Sequence, residues 1–411
     1  MSGLRCYELK IDYIGYKGHG VSETEDRTFY LPYTLPGEKV RVTDEGGGTL
    51  EKILEESLDR IAPVCRHFGV CGGCALQHMA KPAYLEWKRE QVIEAFRARG
   101  IREPILSVIP CTGKRRRAAF SARRTTTGVM LGFHEAGTHN LVDVQECVVL
   151  HPAIVAALPG LRALLAPMLS RRGEARVVVT WTEAGLDVAL SDMPDKLTPE
   201  IRTHIASAAR AARIVRVSVE SDVAFESLTP FLKFGRAEVS PPPGVFLQAV
   251  AEAETVMGGL IVTAIGKAKT AADLFCGVGA FTFRLAERAK VFAADSDKVA
   301  ITALIAASKN ATGLKPIEAI TRDLFREPLS ATEMNGYDAV VFDPPRAGAE
   351  SQARMIAKSK VKTVVAVSCN PATLARDARV LMDGGYKLET VTPIDQFLYT
   401  PHIEVVAVFR R

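Results

Sequence analysis

The chain has 411 residues, of which 47% are hydrophobic and 24% charged, a globular balance that excludes a disordered or fibrous polymer. Its 52 Lys and Arg against 47 Asp and Glu leave a net charge of +5 and a sequence pI of about 8.7, too modest to identify a polyanionic partner by itself. No run of 18 residues is purely apolar and the opening MSGLRCYELK lacks a basic-then-apolar leader pattern, so a soluble, cytoplasmic protein of two or three domains is expected.

Residues 1–54 predict a small five-stranded β-barrel of the oligonucleotide-binding type. Short alternating runs (ELKIDYIGY, RTFYLPYTL, EKVRVTDE) are divided by Gly15, Gly18, Gly20 and Pro36-Gly37, the turn chemistry such a barrel needs. The charged stretch from Glu51 to Asp59 suits a helical linker or a last strand. Residues 55–238 predict a mixed α+β central domain, with helices over 82–100 and 152–170, a hairpin between Met130 and Val149, and a strand at 176–181. Residues 239–411 alternate apolar strand runs with helical periods, which predicts a doubly wound α/β sheet. The last two strand runs lack a helix between them, so the final strand is expected to enter antiparallel.

Within the central domain, Cys65-x5-Cys71-x2-Cys74 and the remote Cys147 supply four thiols. In a long chain of this kind metal binding is a better expectation than disulfides. The spacing is not the two C-x2-C pairs of a zinc ribbon; it favours a four-thiolate iron–sulfur cluster, with zinc as the rival. The C-x3-C-x2-C of radical enzymes is absent, and Cys6, Cys111 and Cys276 carry no assigned role. The run Lys114 to Arg117 with Arg123 and Arg124 places six cations between residues 114 and 124. A solvated face and a phosphate-contacting surface are equally consistent with it.

Asp273-Leu-Phe-Cys-Gly277-Val-Gly279 lies where a strand meets a helix, with an acid before the glycines rather than a G-x-G-x-x-G pattern. Asp295, at the tip of the next strand, stands where a carboxylate can bind a ribose diol. Asp343-Pro344-Pro345 ends a later strand, and the two prolines make a rigid corner that aims Asp343 into the crevice beyond the strand ends. Cys369, in Ser368-Cys369-Asn370-Pro371, opens a helix whose dipole favours thiolate. Glu404 begins the last strand, on the same face as His402.

With these motifs assembled, the sequence resembles the RNA 5-methyluridine methyltransferase family, and more closely its bacterial ribosomal-RNA members with an N-terminal TRAM domain and an iron–sulfur cluster. The resemblance covers essentially the whole chain. It rests on GYKGHGVSE and LPGEKV, CRHFGVCGGCALQH with the later ECVVLHP, then VFLQAV, DLFCGVGAF, FDPPRAG, SCNPATLARD and TPHIEVVAV. It implies a class I S-adenosylmethionine-dependent, Rossmann-like methyltransferase domain with Cys369 as nucleophile toward uracil carbon 6 and Glu404 as acceptor of the carbon 5 proton. It places Gln248, Phe275, Asp295 and Asp343 against S-adenosylmethionine or the target base. It also implies a [4Fe–4S] cluster on Cys65, Cys71, Cys74 and Cys147. The expected partner is RNA, ribosomal first and transfer RNA as the alternative, with no stable protein partner. A non-catalytic RNA-binding module would require the reacting groups to be lost, and they are present. Three departures stand out: Val250 and Ala280 replace asparagines common in the family, and DQFLYTPH lacks a proline usual after its phenylalanine.

Overall fold

Alternating apolar residues at the N-terminus fold into two small sheets in the computed structural model, which describes residues 6–43, 48–170, 173–193 and 197–411. The first five residues of the expected 1–54 unit, and the last two of EKVRVTDE, lie outside the described ones. Cys6–Lys10, Lys39–Thr43 and Thr49–Glu55 form one antiparallel sheet, and Tyr13–Ile14, Gly20–Glu23 and Thr28–Leu31 the other. Leu9, Ile11, Phe29, Leu31, Val40 and Val42 fill the space between them. Among the described residues this makes six strands, one more than the pattern predicts. The charged stretch after Thr49 is the extra strand, because pairing with Lys39–Thr43 satisfies its backbone while its side chains stay wet.

The middle of the chain forms a seven-stranded sheet running Leu141–Asp143, Val129–His134, Arg117–Arg124, Ala175–Thr182, Gly185–Ser191, Ile214–Val219, Asp222–Glu226. Helices Pro152–Leu165 and Pro199–Ala211 join its apolar face in one core. The second helix has no counterpart in the sequence pattern, because its short, Ala-rich sequence carries only two large apolar residues and buries only Ile205 and Ala209.

The C-terminal sheet has eight strands in the order Ile317–Thr321, Lys290–Asp295, Thr270–Leu274, Ala339–Phe342, Thr363–Ser368, Glu404–Arg410, Lys387–Asp395, Ile109–Pro110. Its first five strands are parallel, and Glu404–Arg410 inserts antiparallel to both neighbours. Helices cover both faces, so the central strand reads TVVAVS with every residue buried. Each such valine contributes roughly 1.5–3 kcal/mol of burial. Residues 81–110, expected in the central domain, pack on this sheet instead. Val92, Phe96, Ile101 and Ile105 share a core with Val364 and Leu374, and Ile109–Pro110 forms the sheet's edge. Among the described residues no helix is long and apolar enough to cross a membrane.

Candidate active site

The parallel strands end on one edge, and the chain reverses its strand order between Thr270–Leu274 and Ala339–Phe342. A crevice opens at such a point beyond the carboxyl ends. The Gly-rich turn follows the first of these strands and Asp343 the second, while Cys369 follows the next one along. Glu404 reaches the same edge only because its strand is antiparallel. Val405 lies opposite Ser368 in register, which sets Glu404 beside the thiol-bearing turn. A parallel strand would have carried its first residue to the far side of the sheet.

The turn after Leu274 is held by its neighbours. Phe275 and Cys276 donate their amides to Ala294 O at 2.9 and 3.2 Å. Asp295 accepts from Gly277 N at 2.9 Å with one oxygen and from Asp297 N at 2.8 Å with the other. Gly279 sits at φ +92°, and a Cβ there would stand 2.8 Å from Phe283; both observations require glycine. Phe275 adopts φ +63°, uncommon for a bulky residue and costing about 1–3 kcal/mol. That strain turns its ring into the crevice wall, 5.4 Å from the ring of Phe325.

All six crevice residues anticipated from the sequence line one cavity of about 450 Å3: Gln248, Phe275, Asp295, Asp343, Cys369 and Glu404. A chain of amides links two of its acids. Gln248 Nε2 donates to Asp343 Oδ2 at 3.0 Å, and Gln396 Nε2 donates both to Gln248 Oε1 at 2.8 Å and to Glu404 Oε1 at 2.9 Å. Gln396 has no motif in the sequence, where it stands only as a second polar residue, after Asp395, at the end of the strand Lys387–Asp395. Glu404 is 3% exposed and its Oε2 has no hydrogen-bond partner.

Crowding three acidic groups into this pocket shifts all of them. Burial pushes Asp343 up to about 7, against the hydrogen bond from Gln248. Burial and then the charge of Asp343 push Glu404 well above the usual carboxylate range. Cys369 is pushed up to about 11 by burial, then by Glu404 and Asp343, with Arg346 opposing. The expectation that the helix dipole favours thiolate is therefore reversed in the free protein. Cys369 precedes the cap residue Asn370 and lies outside the first turn, where the dipole acts.

Cys369 also faces a second cavity of about 540 Å3, whose walls include Tyr16 and Lys17, in the turn between the strands Tyr13–Ile14 and Gly20–Glu23, with Arg346 and His402. The thiol thus stands at the junction of an inner and an outer space.

Cys65, Cys71, Cys74 and Cys147 line a separate cavity of about 170 Å3 with Phe68, Phe133 and other apolar side chains. Among the described residues no group of three or more His, Cys, Asp or Glu is arranged to hold a single metal ion. Cys71 bridges to Glu135, and a Cβ on Gly72 would stand 2.8 Å from His134 O, so glycine lets the cysteine loop approach the hairpin. Burial pushes the thiols of Cys71 and Cys147 up, and that of Cys74 up to about 11. Arg115 lines the same cavity, and two of its guanidinium nitrogens are buried without a partner.

Much of the rest of the basic run is engaged within the protein. Arg116 is buried, pairs with Glu254, and donates to Gln248 O at 3.2 Å. Arg117 is partly buried and donates to Gly244 O, and Arg124 donates to Ala166 O and Leu169 O at a helix end. Of the six cations, Lys114, Arg123 and Arg124 are exposed, and all three have partners: Lys114 donates to Val148 O, Arg123 pairs with Glu174 at 2.8 Å, and Arg124 makes the two carbonyl contacts above. The run is therefore not one continuous solvated face, and Arg116 at its centre fixes the backbone of Gln248.

The family model for tRNA (uracil-5-)-methyltransferase matches residues 242–411. An uncharacterized RNA methyltransferase of Brucella suis biovar 1 is 46% identical over 100% of this chain and 99% of its own length. The 23S rRNA (uracil(1939)-C(5))-methyltransferase of Chromohalobacter salexigens is 32% identical over 98% of this chain and 89% of its own. The crystal structure of the Pyrococcus abyssi tRNA (uracil-54, C5)-methyltransferase with S-adenosyl-L-homocysteine superposes with a TM-score of 0.73 at 22% identity, covering 98% of this chain and 100% of that one. That last likeness is one of fold.

Proposed function

This chain belongs to the RNA uracil-C5 methyltransferase family, and on that premise we propose that it methylates carbon 5 of a uridine in 23S ribosomal RNA through a covalent Cys369 adduct. It is an S-adenosylmethionine-dependent RNA methyltransferase. One observation carries the mechanism: Cys369, Glu404 and Asp343 line a single cavity, and the cysteine alone of the three also faces the outer space.

Carbon 5 of uracil is too poor a nucleophile to take a methyl group unaided. Cys369, its thiol proton given up to solvent across the outer cavity it faces, adds to carbon 6, and the displaced π electrons make an enolate with carbanion character at carbon 5. S-adenosylmethionine, when bound, supplies an electrophilic methyl group for that carbon. Glu404 then accepts the carbon 5 proton, the 5,6 double bond re-forms, and the C6–S bond breaks to free the thiol. Asp295 and the strained turn at Phe275 are suited to a ribose and an adenine ring, and Gln248 and Asp343 to holding the cofactor or the base. The outer cavity, with Tyr16, Lys17 and Arg346, suits a base drawn out of single-stranded RNA with its flanking phosphates.

Cys65, Cys71, Cys74 and Cys147 are assigned to a [4Fe–4S] cluster. What supports this reading is the spacing of the cysteines, which is not that of a zinc ribbon, together with the one cavity that all four thiols line. The two unpartnered guanidinium nitrogens of Arg115 suit the negative charge of a thiolate-bound cluster. Protein purified without oxygen is expected to carry about four irons and four sulfides per chain; zinc in their place overturns the assignment.

The division of the chain into 1–54, 55–238 and 239–411, with residues 81–110 of the middle segment packing on the C-terminal sheet, its N-terminal unit acting as a TRAM-type RNA-binding module, and its action in the cytoplasm belong to the same proposal. The substrate is tested by mapping 5-methyluridine in ribosomal and transfer RNA from cells lacking the gene. Loss at one 23S uridine is expected. Loss in transfer RNA instead favours the alternative, to which the family model's description points; loss in neither contradicts the proposal.

A further inference from the structure

The loop between the last two strands of the C-terminal sheet carries Gln396 at its start and ends at Glu404, yet it is held from far away in the chain. Lys88, midway along the helix Lys81–Arg97, is fully buried. Its ammonium has three hydrogens, and the loop supplies three acceptors: Asp395 Oδ1 at 2.5 Å, His402 O at 2.7 Å and Phe397 O at 3.2 Å. These oxygens bracket the loop. Tyr84, one turn earlier, accepts from Tyr399 N at 3.0 Å, and its ring lies 4.8 Å from the same ammonium. Tyr399 sits at φ +64°, a conformation that persists only where the surroundings over-determine it. Ala75 and Leu76, directly after the third clustered cysteine, both donate to Tyr399 O.

Packing alone does not call for this arrangement. A buried ion pair is commonly no more stabilising than apolar side chains of similar volume, and a methionine would nearly fill the space of Lys88. The ammonium does what an apolar chain cannot: it ties both ends of one loop to a single point.

We propose that Lys88 is a positioning residue for the elimination step, fixing the 395–402 loop so that Gln396 and Glu404 stand in register with Cys369. The inference rests on the reading of Glu404 as proton acceptor. In that step the Glu404 carboxylate takes the carbon 5 proton, the C5–H electron pair becomes the 5,6 double bond, and the C6–S pair returns to the sulfur of Cys369. Addition and methyl transfer do not require that proton to move. A displaced Glu404 therefore slows release and leaves the earlier steps intact, so methylated RNA stays bonded to the cysteine.

The test uses full-length wild type, Lys88→Met, Asp395→Asn and Glu404→Gln with methyl-tritiated S-adenosylmethionine and uridine-containing RNA in single turnover. Methyl incorporation and denaturation-resistant protein–RNA adduct are followed separately. Wild type is expected to release its product without accumulating adduct, and Glu404→Gln to accumulate it. Lys88→Met is expected to accumulate it too, with release slowed about 10- to 100-fold while incorporation and cofactor affinity stay within about twofold of wild type. Release at the wild-type rate, or an equal loss of incorporation and release, overturns the proposal. Should Lys88→Met fail to fold, Asp395→Asn, which removes the counter-charge but keeps an acceptor oxygen, carries the same expectation and is overturned by the same results. Absence of adduct in Glu404→Gln would instead remove the proton-acceptor reading, and this proposal with it.

Discussion

Replacing Cys369 with alanine is expected to abolish tritium release from [5-3H]uridine RNA, by roughly 10^4-fold or more, while the protein still binds S-adenosylmethionine. The two readouts separate because the thiol stands at the boundary of two spaces. The inner cavity keeps its other walls, the Gly277 turn, Asp295 and Phe275, when one sulfur is removed. What disappears is the nucleophile that activates carbon 5. No other group at that junction can replace it, since Arg346, Asn370 and His402, which share the outer cavity, would form no comparable adduct at carbon 6. Because burial and then the neighbouring carboxylates push the thiol up to about 11, Cys369 is protonated in the free protein at neutral pH, while burial and Asp343 shift Glu404 upward as well. Activity of the wild type is expected to rise with pH through and above the neutral range, as the thiol gives up its proton, and to fall in acid. A flat profile between pH 6 and 9 counts against the nucleophile role.

Glu404→Gln is the second large effect. The amide is isosteric and can keep the contact with Gln396, so the fold and the cofactor site should survive. Turnover should fall by about 10^2- to 10^4-fold, the usual contribution of a positioned general base. A denaturation-resistant protein–RNA adduct should appear on a gel after mixing with substrate and cofactor. The unpartnered Oε2 of Glu404 is the atom that makes this expectation specific. A buried acid oxygen left without a donor is costly, and a proton arriving from substrate during turnover would satisfy it. Loss of turnover with no adduct would mean that Glu404 acts before methyl transfer.

How much of this was legible in the sequence depends on the distance over which each residue finds its partner. The strands of the C-terminal sheet were readable because both faces are covered, leaving continuous runs such as TVVAVS. Asp343, Cys369 and Glu404 were readable because each ends or begins a strand at one edge, a placement that topology alone provides. Phe275 and the glycines after it belong to a local turn whose chemistry is written in a few residues. Contacts made across the whole chain were not legible. Nothing in the helix around Lys88 says that its ammonium meets Asp395, 307 residues away, and nothing in DQF marks Gln396 as the bridge between two acids. The basic run misled for the same reason. Arg116 looks like surface charge until Glu254, 138 residues later, is found against it. The expectation for Cys369 weighs a local feature, the helix that follows, without the burial of the thiol and the carboxylates that two other strands bring to it.

The most direct test of the covalent mechanism is digestion and mass spectrometry of the protein after incubation with S-adenosylmethionine and RNA carrying 5-fluorouridine at the target position. Fluorine at carbon 5 cannot leave as a cation, so the final elimination is blocked. The account predicts a methylated fluoropyrimidine nucleotide attached to the peptide containing Cys369. Unmodified Cys369, in a preparation that methylates the ordinary uridine substrate, would contradict it.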